Sequence, residues 1–183
     1  MAASNTVLLA LIASALAIFG QDGKPGGVPF VATSDGAVHA MLKLADVKRS
    51  DVVFDLGSGD GRIPIAAAKD FGARGVGIEI DPRLVRRASE NARKAGVEGL
   101  VRFEEKDLFE ADIRSATVVT LFLREDFNLR LRPKLLKELK PGARIISNTF
   151  DMYDWKPDKQ LVVDDPTSEL FNRKLYLWVV PKK

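Results

Sequence analysis

Asp55-Leu-Gly57-Ser-Gly59-Asp60-Gly61-Arg62 lies where a short β-prone run, Asp51-Val-Val-Phe54, gives way to a helical one, Ile63-Pro-Ile-Ala-Ala-Ala-Lys69. Proline is tolerated in a first helical turn, where its missing N–H would have no partner anyway. Closely spaced glycines permit positive φ and close backbone approach to a ligand, and a helix start offers free N–H groups. The stretch therefore reads as a strand–loop–helix turn that holds a nucleotide-type cofactor.

The surrounding chain has 183 residues, 46% of them hydrophobic, enough for one domain with a proper core. It has no cysteine and one histidine, His39, which excludes disulfides, thiolate or histidine-cluster metal sites and a cysteine nucleophile. No metal is expected. A formal net charge of +3 permits an acidic partner without demanding one.

Thr6 to Gly20 reads TVLLALIASALAIFG, uncharged, and is followed by the polar, glycine-rich Gln21–Gly27. The predicted organisation is an apolar segment over 1–20, a flexible linker over 21–28 and a catalytic domain over 29–183. An apolar run of this length is short against the roughly 20 residues of a bilayer span. Three readings compete: a membrane anchor, a cleaved signal with Ala15-Leu-Ala17 as its small-residue site, and a packing helix. No Lys or Arg precedes the run and Lys24 follows it, which favours a transmembrane helix with the domain facing the cytoplasm.

Within the domain, Ser34 caps a helix to about Ala45, with Val38, Met41, Leu42 and Ala45 on one face and His39 off it, read as a surface residue. Strands follow at about Val52–Leu56, Gly75–Ile80, Leu100–Phe103, Ala116–Phe122 and Ala143–Ser147. Between them lie helices after the glycine loop, from Asp81-Pro82 to Ala95, and from Glu125 to Leu139 with Leu129, Leu135, Leu136 and Leu139. Gln160–Val163 and Lys174–Val180 have no helix between them and should pair antiparallel. Five alternating units and a terminal hairpin predict an α/β fold, a doubly wound, mostly parallel seven-stranded sheet.

Two cofactor classes fit a glycine loop after a first strand: a dinucleotide or S-adenosylmethionine. The dinucleotide fingerprint is G-x-G-x-x-G, whereas Gly57, Gly59 and Gly61 give G-x-G-x-G behind an acid, Asp55. Further acids end the next two strands, where open α/β sheets bind ligands. Glu79 suits ribose hydroxyls, and Asp107 suits an adenine amino group with the Leu108 N–H on a ring nitrogen. Asp55 and the backbone of Gly57, Ser58, Gly59, Asp60 and Gly61 suit the ammonium end of S-adenosylmethionine. That donor is made in the cytosol, which again favours an anchor over an exported form.

DLGSGDGR, GVGIEID and KDLF, in that order, resemble the class I S-adenosylmethionine-dependent methyltransferases over roughly residues 28 to 183. PFVATSD joined to DLGSGDGRIPIAAAK resembles, more narrowly, the lysine methyltransferases of adenine nucleotide translocase and the ATP synthase c-subunit, with their prokaryotic relatives. This resemblance implies a Rossmann-like methyltransferase sheet, with Phe30, Val31 and Thr33 folding over the cofactor and Thr33 near its carboxylate.

Methyl transfer from a sulfonium is an in-line displacement that needs alignment and exclusion of water. A lysine acceptor, with a reference pKa near 10.4, must first lose its proton, which an apolar aromatic channel encourages. Segments after the fourth and fifth strands are placed for one: Phe122, Leu123 and Arg124, then Asn148, Thr149, Phe150 and Asp151, with Tyr153 and Trp155 behind. Asn148, Phe150 and Asp151 are the candidate catalytic group, and Phe122, Leu123, Tyr153 and Trp155 the candidate substrate contacts. The aromatic residues also fit a plain core role. Leu121-Phe-Leu-Arg124 is not the Asn/Asp-Pro-Pro-aromatic motif of adenine-amino methyltransferases, so nucleic acid is not the expected partner. The expected acceptor is a protein lysine, with membrane-associated proteins among the candidates. A small-molecule methyltransferase and a cofactor-binding pseudoenzyme or interaction module are the alternatives.

Overall fold

The structure, a computed structural model, describes residues 33–164 and 173–182. Phe30, Val31 and the whole 1–28 segment lie outside these residues. Seven strands form one sheet in the order β3-β2-β1-β4-β5-β7-β6. They are β1 (Val52–Leu56), β2 (Arg74–Glu79), β3 (Val101–Glu105), β4 (Val118–Leu121), β5 (Arg144–Asn148), β6 (Lys159–Val163) and β7 (Arg173–Val179). The first five run parallel, and β7 runs antiparallel to both β5 and β6. This is the doubly wound α/β sheet with its terminal antiparallel pair.

Helices α1 (Asp35–Leu44), α2 (Arg62–Phe71), α3 (Pro82–Ala95) and α4 (Glu125–Glu138) complete the layers. Val38, Met41 and Leu42 of α1 and Ile63 and Ala67 of α2 bury against Val53, Val118, Ile146, Leu175 and Leu177 of the sheet. Strand side chains alternate between faces, so Ser147 points away from the face that Ile146 occupies. Its hydroxyl meets Asn128 of α4 at 3.1 Å, which places α4 on the opposite face.

The parallel part of the sheet departs from regular alternation once. No helix joins β3 to β4; residues 106–117 cross by turns, such as the Glu110 N–H to Asp107 C=O bond of 2.9 Å. In α4 the buried stripe is Asn128, Leu131 and Leu135, whereas Leu129 is exposed. Pro133 also removes one N–H from that helix.

The expectation of a transmembrane helix, of membrane association and of a membrane-tethered domain facing the cytoplasm is corrected here. No helix among the described residues is long and apolar enough to cross a membrane. The longest, α3 and α4, have 14 residues each and carry charges throughout. That is about 21 Å of helix against a hydrocarbon core of about 30 Å.

Ser34 caps α1, its hydroxyl accepting from the Ala37 N–H at 3.2 Å. Replacing it with Ala is expected to lower unfolding free energy by about 1 kcal/mol. A urea titration checks this; an unchanged midpoint would show that the cap contributes nothing.

Candidate active site

The carboxyl ends of β1 and β2 carry the glycine loop. The N–H groups of Gly57 and Ser58 both donate to the Ile78 carbonyl, at 2.8 and 2.9 Å, pinning the loop's first turn to β2. Gly59 is then held by Glu79, whose Oε2 accepts its N–H at 2.9 Å. Gly57, Gly59 and Gly61 have φ of 83°, 54° and 80°, a region where a side chain is strained. Gly61 has a second reason to lack a side chain, since a Cβ there would sit 2.5 Å from the Phe103 ring. Gly77 is equally constrained: its absent Cβ leaves room for the Phe103 ring and the Ser58 hydroxyl beneath the loop.

Asp55 is buried on the face shared by Thr120, whose hydroxyl donates to its Oδ1 at 2.7 Å. Burial pushes this carboxyl up to about 7, the Thr120 hydrogen bond opposing and the charges of Glu79 and Asp60 adding to the rise. Asp60 goes the other way. Burial raises it, but the Arg62 guanidinium, donating to both carboxylate oxygens at 2.9 and 2.7 Å, lowers it further than burial lifts it. Arg62 also donates to the Thr33 carbonyl at 2.5 Å, and Asn91 donates to the Asp60 carbonyl at 3.0 Å. The Asp60 side chain thus ties the loop to the segment before α1.

Glu79 accepts from backbone N–H groups on both carboxylate oxygens. Besides Gly59, its Oε1 accepts from the N–H groups of Ile80 at 2.8 Å and Asp81 at 3.0 Å. Lys106 N–H donates to the Glu79 carbonyl at 2.9 Å, bringing Asp107 and Leu108 alongside. Asp107 Oδ1 accepts from Phe109 N–H at 2.9 Å, while Leu108 is half-buried. Asp55, residues 57–61, Glu79, Asp107 and Leu108 therefore gather at one end of the sheet.

These residues fit S-adenosylmethionine. Glu79 Oε2 keeps a lone pair for a hydroxyl after taking Gly59, and Asp55 and the loop backbone offer acceptor and donors to an amino-acid end. Bound there, the cofactor would supply a methyl group on an electrophilic sulfonium.

The candidate acceptor residues meet this site through Leu123, which is buried with Cδ2 3.0 Å from where a Gly57 Cβ would lie. Phe122 is half-buried, with the Arg173 guanidinium 5.0 Å above its ring. Asn148 ends β5 fully buried, on the same sheet face as Asp55 and Thr120. Its Oδ1 accepts from the Thr149 hydroxyl at 3.0 Å, and its Nδ2 has no partner. Thr149 and Tyr153 hold φ of 72° and 60°, uncommon for any side chain and an outlier for β-branched threonine. Phe150 and Asp151 lie between them, half-buried. Tyr153 is 69% exposed. Trp155 is drawn to the hairpin, its ring 5.8 Å from Trp178 and its carbonyl accepting the Trp178 indole N–H at 2.8 Å.

Sequence reasoning missed Thr120, Asn128, Asn91 and the reach of Arg62. Two of these carried a signal: Thr120 interrupts the apolar run Val118-Val-Thr-Leu121, and Asn128 stands at helical spacing from Leu131 and Leu135.

Residues 55–159 match the model of the ANTKMT methyltransferase domain. The chain is 45% identical over 154 residues to a protein-lysine N-methyltransferase of Saccharolobus islandicus, covering 84% of this chain and 94% of that protein. It is 37% identical over 131 residues to the human lysine N-methyltransferase of the ATP synthase c-subunit, covering 72% of this chain but only 55% of the human protein. Among solved structures, it is similar to a crystal structure described as an RNA methyltransferase from Salinibacter ruber with S-adenosyl-L-homocysteine, at 51% identity and a TM-score of 0.78, covering 84% of this chain and 95% of that one. With its glycine loop and three strand-end acids in one constellation, the chain belongs to the ANTKMT methyltransferase family and is an S-adenosylmethionine-dependent methyltransferase.

Proposed function

We propose that the methyl acceptor is the side-chain amine of a lysine in a protein, received by a domain spanning residues 29–183. The observation that carries this reading is the 45% identity to the Saccharolobus islandicus protein-lysine N-methyltransferase across 94% of its length. The chemistry of the loop after β5 supports it. Phe122 and Phe150, both half-buried, would flank the aliphatic stem of a lysine. Their apolar surfaces disfavour the ammonium and so promote the neutral, nucleophilic amine.

Asn148 is the group suited to orient that amine. Its amide is buried, with one end on Thr149 and the other without a partner. A buried amide of this kind gains from a ligand that completes its hydrogen bonding, and rotation about its last torsion presents either donor or acceptor. Asp151, whose Oδ1 accepts the Tyr153 N–H at 3.0 Å, would add a carboxylate at the rim for an incoming cation. Asp55, Gly57–Gly61, Glu79, Asp107 and Leu108 would hold the donor, with Thr33 near its carboxylate.

A second reading, RNA as acceptor, follows from the description of the Salinibacter ruber protein. Against it stands the segment after β4, Leu121-Phe-Leu-Arg124, which offers no proline-aromatic platform for a base. Incubating the enzyme with methyl-labelled S-adenosylmethionine and separate protein and RNA extracts distinguishes the two. Label that protease releases and ribonuclease leaves in place is expected; the reverse pattern, or label confined to small molecules, rejects the lysine reading.

A further inference from the structure

We propose that Asn128 is a positioning residue for methyl transfer: it touches neither substrate but holds the acceptor loop after β5 in its strained conformation. This rests on the acceptor site proposed above.

Asn128 lies in α4, fully buried in the stripe it shares with Leu131 and Leu135. Its Nδ2 is 3.1 Å from Ser147 Oγ, 3.2 Å from the Phe150 carbonyl and 3.4 Å from the Asp151 carbonyl. Ser147 Oγ donates in turn to the same Phe150 carbonyl at 2.6 Å. One amide from the opposite layer therefore holds the following peptide's carbonyl, at Asp151, and that of the Phe150–Asp151 peptide itself. That peptide carries the two candidate acceptor side chains.

The loop needs such a hold. Thr149 and Tyr153 sit at positive φ without being glycine, a strained conformation that persists only where the surrounding structure holds it. Two local bonds act within the loop, Phe150 N–H to the Asn148 carbonyl at 2.9 Å and Tyr153 N–H to Asp151 Oδ1 at 3.0 Å. Thr149 N–H reaches the Lys174 carbonyl at 2.7 Å. None of these fixes the Phe150 and Asp151 carbonyls; Asn128 and Ser147 do. Packing alone does not call for an amide at this place, because leucine would fill the stripe as well and bury no polar group. The polar choice makes sense as a constraint on the loop.

Asn128→Leu removes the donor at similar volume, and Asn128→Ser retains one. Three readouts on the full chain separate positioning from folding: S-adenosylhomocysteine affinity by calorimetry, amide hydrogen exchange at residues 149–153, and turnover with labelled S-adenosylmethionine on whichever protein or RNA extract the parent methylates. For Asn128→Leu we expect affinity within twofold of the parent, loop exchange accelerated at least tenfold with β1 and β2 unchanged, and turnover down about 10²-fold with donor KM unaltered. Asn128→Ser is expected to recover part of both losses. Unchanged loop exchange, unchanged turnover, or donor affinity falling in step with turnover would each overturn the proposal. The exchange arm needs no acceptor, and an RNA acceptor would defeat the lysine reading while leaving this one standing.

Discussion

Glu79→Ala is expected to weaken S-adenosylhomocysteine binding by about two to three orders of magnitude. Three backbone N–H groups converge on this carboxylate, from Gly59, Ile80 and Asp81. Two occupy Oε1, and Oε2 keeps capacity for a hydroxyl. A hydrogen bond to a charged partner contributes about 1.5–3 kcal/mol, so losing the one that Oε2 can still make to a ribose hydroxyl accounts for about one to two orders of magnitude. The same substitution frees Gly59 and lets the loop leave the conformation that admits the cofactor. Because Glu79 is only half-buried, water replaces the lost backbone contacts and fold stability should change little. Glu79→Gln is the sharper control: its amide NH2 would face N–H donors on one side or the other, so it should bind almost as poorly as Ala. Calorimetry with S-adenosylhomocysteine reads both variants, and affinity within threefold of the parent in Glu79→Ala would remove Glu79 from the site.

Asp55→Asn should separate stability from binding as a function of pH. In the free enzyme burial raises the Asp55 carboxyl to about 7. The native state therefore keeps a proton that the unfolded chain releases near pH 4. Between about pH 4 and 7 the native state binds more protons than the unfolded one, so this group makes stability fall as pH rises, and above 7 the full cost is present. A shift of this size corresponds to on the order of 4 kcal/mol. Asparagine carries no charge at any pH and still accepts from the Thr120 hydroxyl. At pH 8 the variant should unfold at higher denaturant than the parent; the gap should narrow as pH falls and nearly close below about pH 4. Donor affinity should move oppositely. An ammonium group bound by Asp55 draws the carboxyl into its ionised form, so parent affinity should climb between pH 6 and 8 with release of a proton. The variant should bind more weakly and without that climb. Parent and variant curves that run parallel in pH would refute the assignment.

The cofactor half of this enzyme was legible because its signals are local. A glycine at positive φ, a cap at Asp81 and an acid at the end of a strand each act over a few residues, and Asp55, Gly57–Gly61, Glu79 and Asp107 lie within reach of their own strand ends. The mostly parallel sheet with its antiparallel end followed from alternation, although residues 106–117 cross by turns with no helix. The proposed acceptor half is built from longer-range contacts that leave no local signal. Phe150 is oriented by Asn128, 22 residues away on another layer, and Asp55 is tuned by Thr120, 65 residues away. The leucines of α4 were named without a face, and the buried face includes the amide of Asn128 beside Leu131 and Leu135. The apolar N-terminal run, where a membrane-crossing helix was expected, lies outside the described residues; among those, the longest helices have 14 residues, carry charges throughout and are not such spans.

Protein lysine methylation itself is tested most directly by comparing tryptic peptides, and digested RNA, from cells with and without the gene. At least one methyl-lysine should vanish from a protein when the gene is removed and return with the parent enzyme but not with Glu79→Ala. Lysine methylation that stays unchanged while a methylated base disappears from RNA would contradict the account.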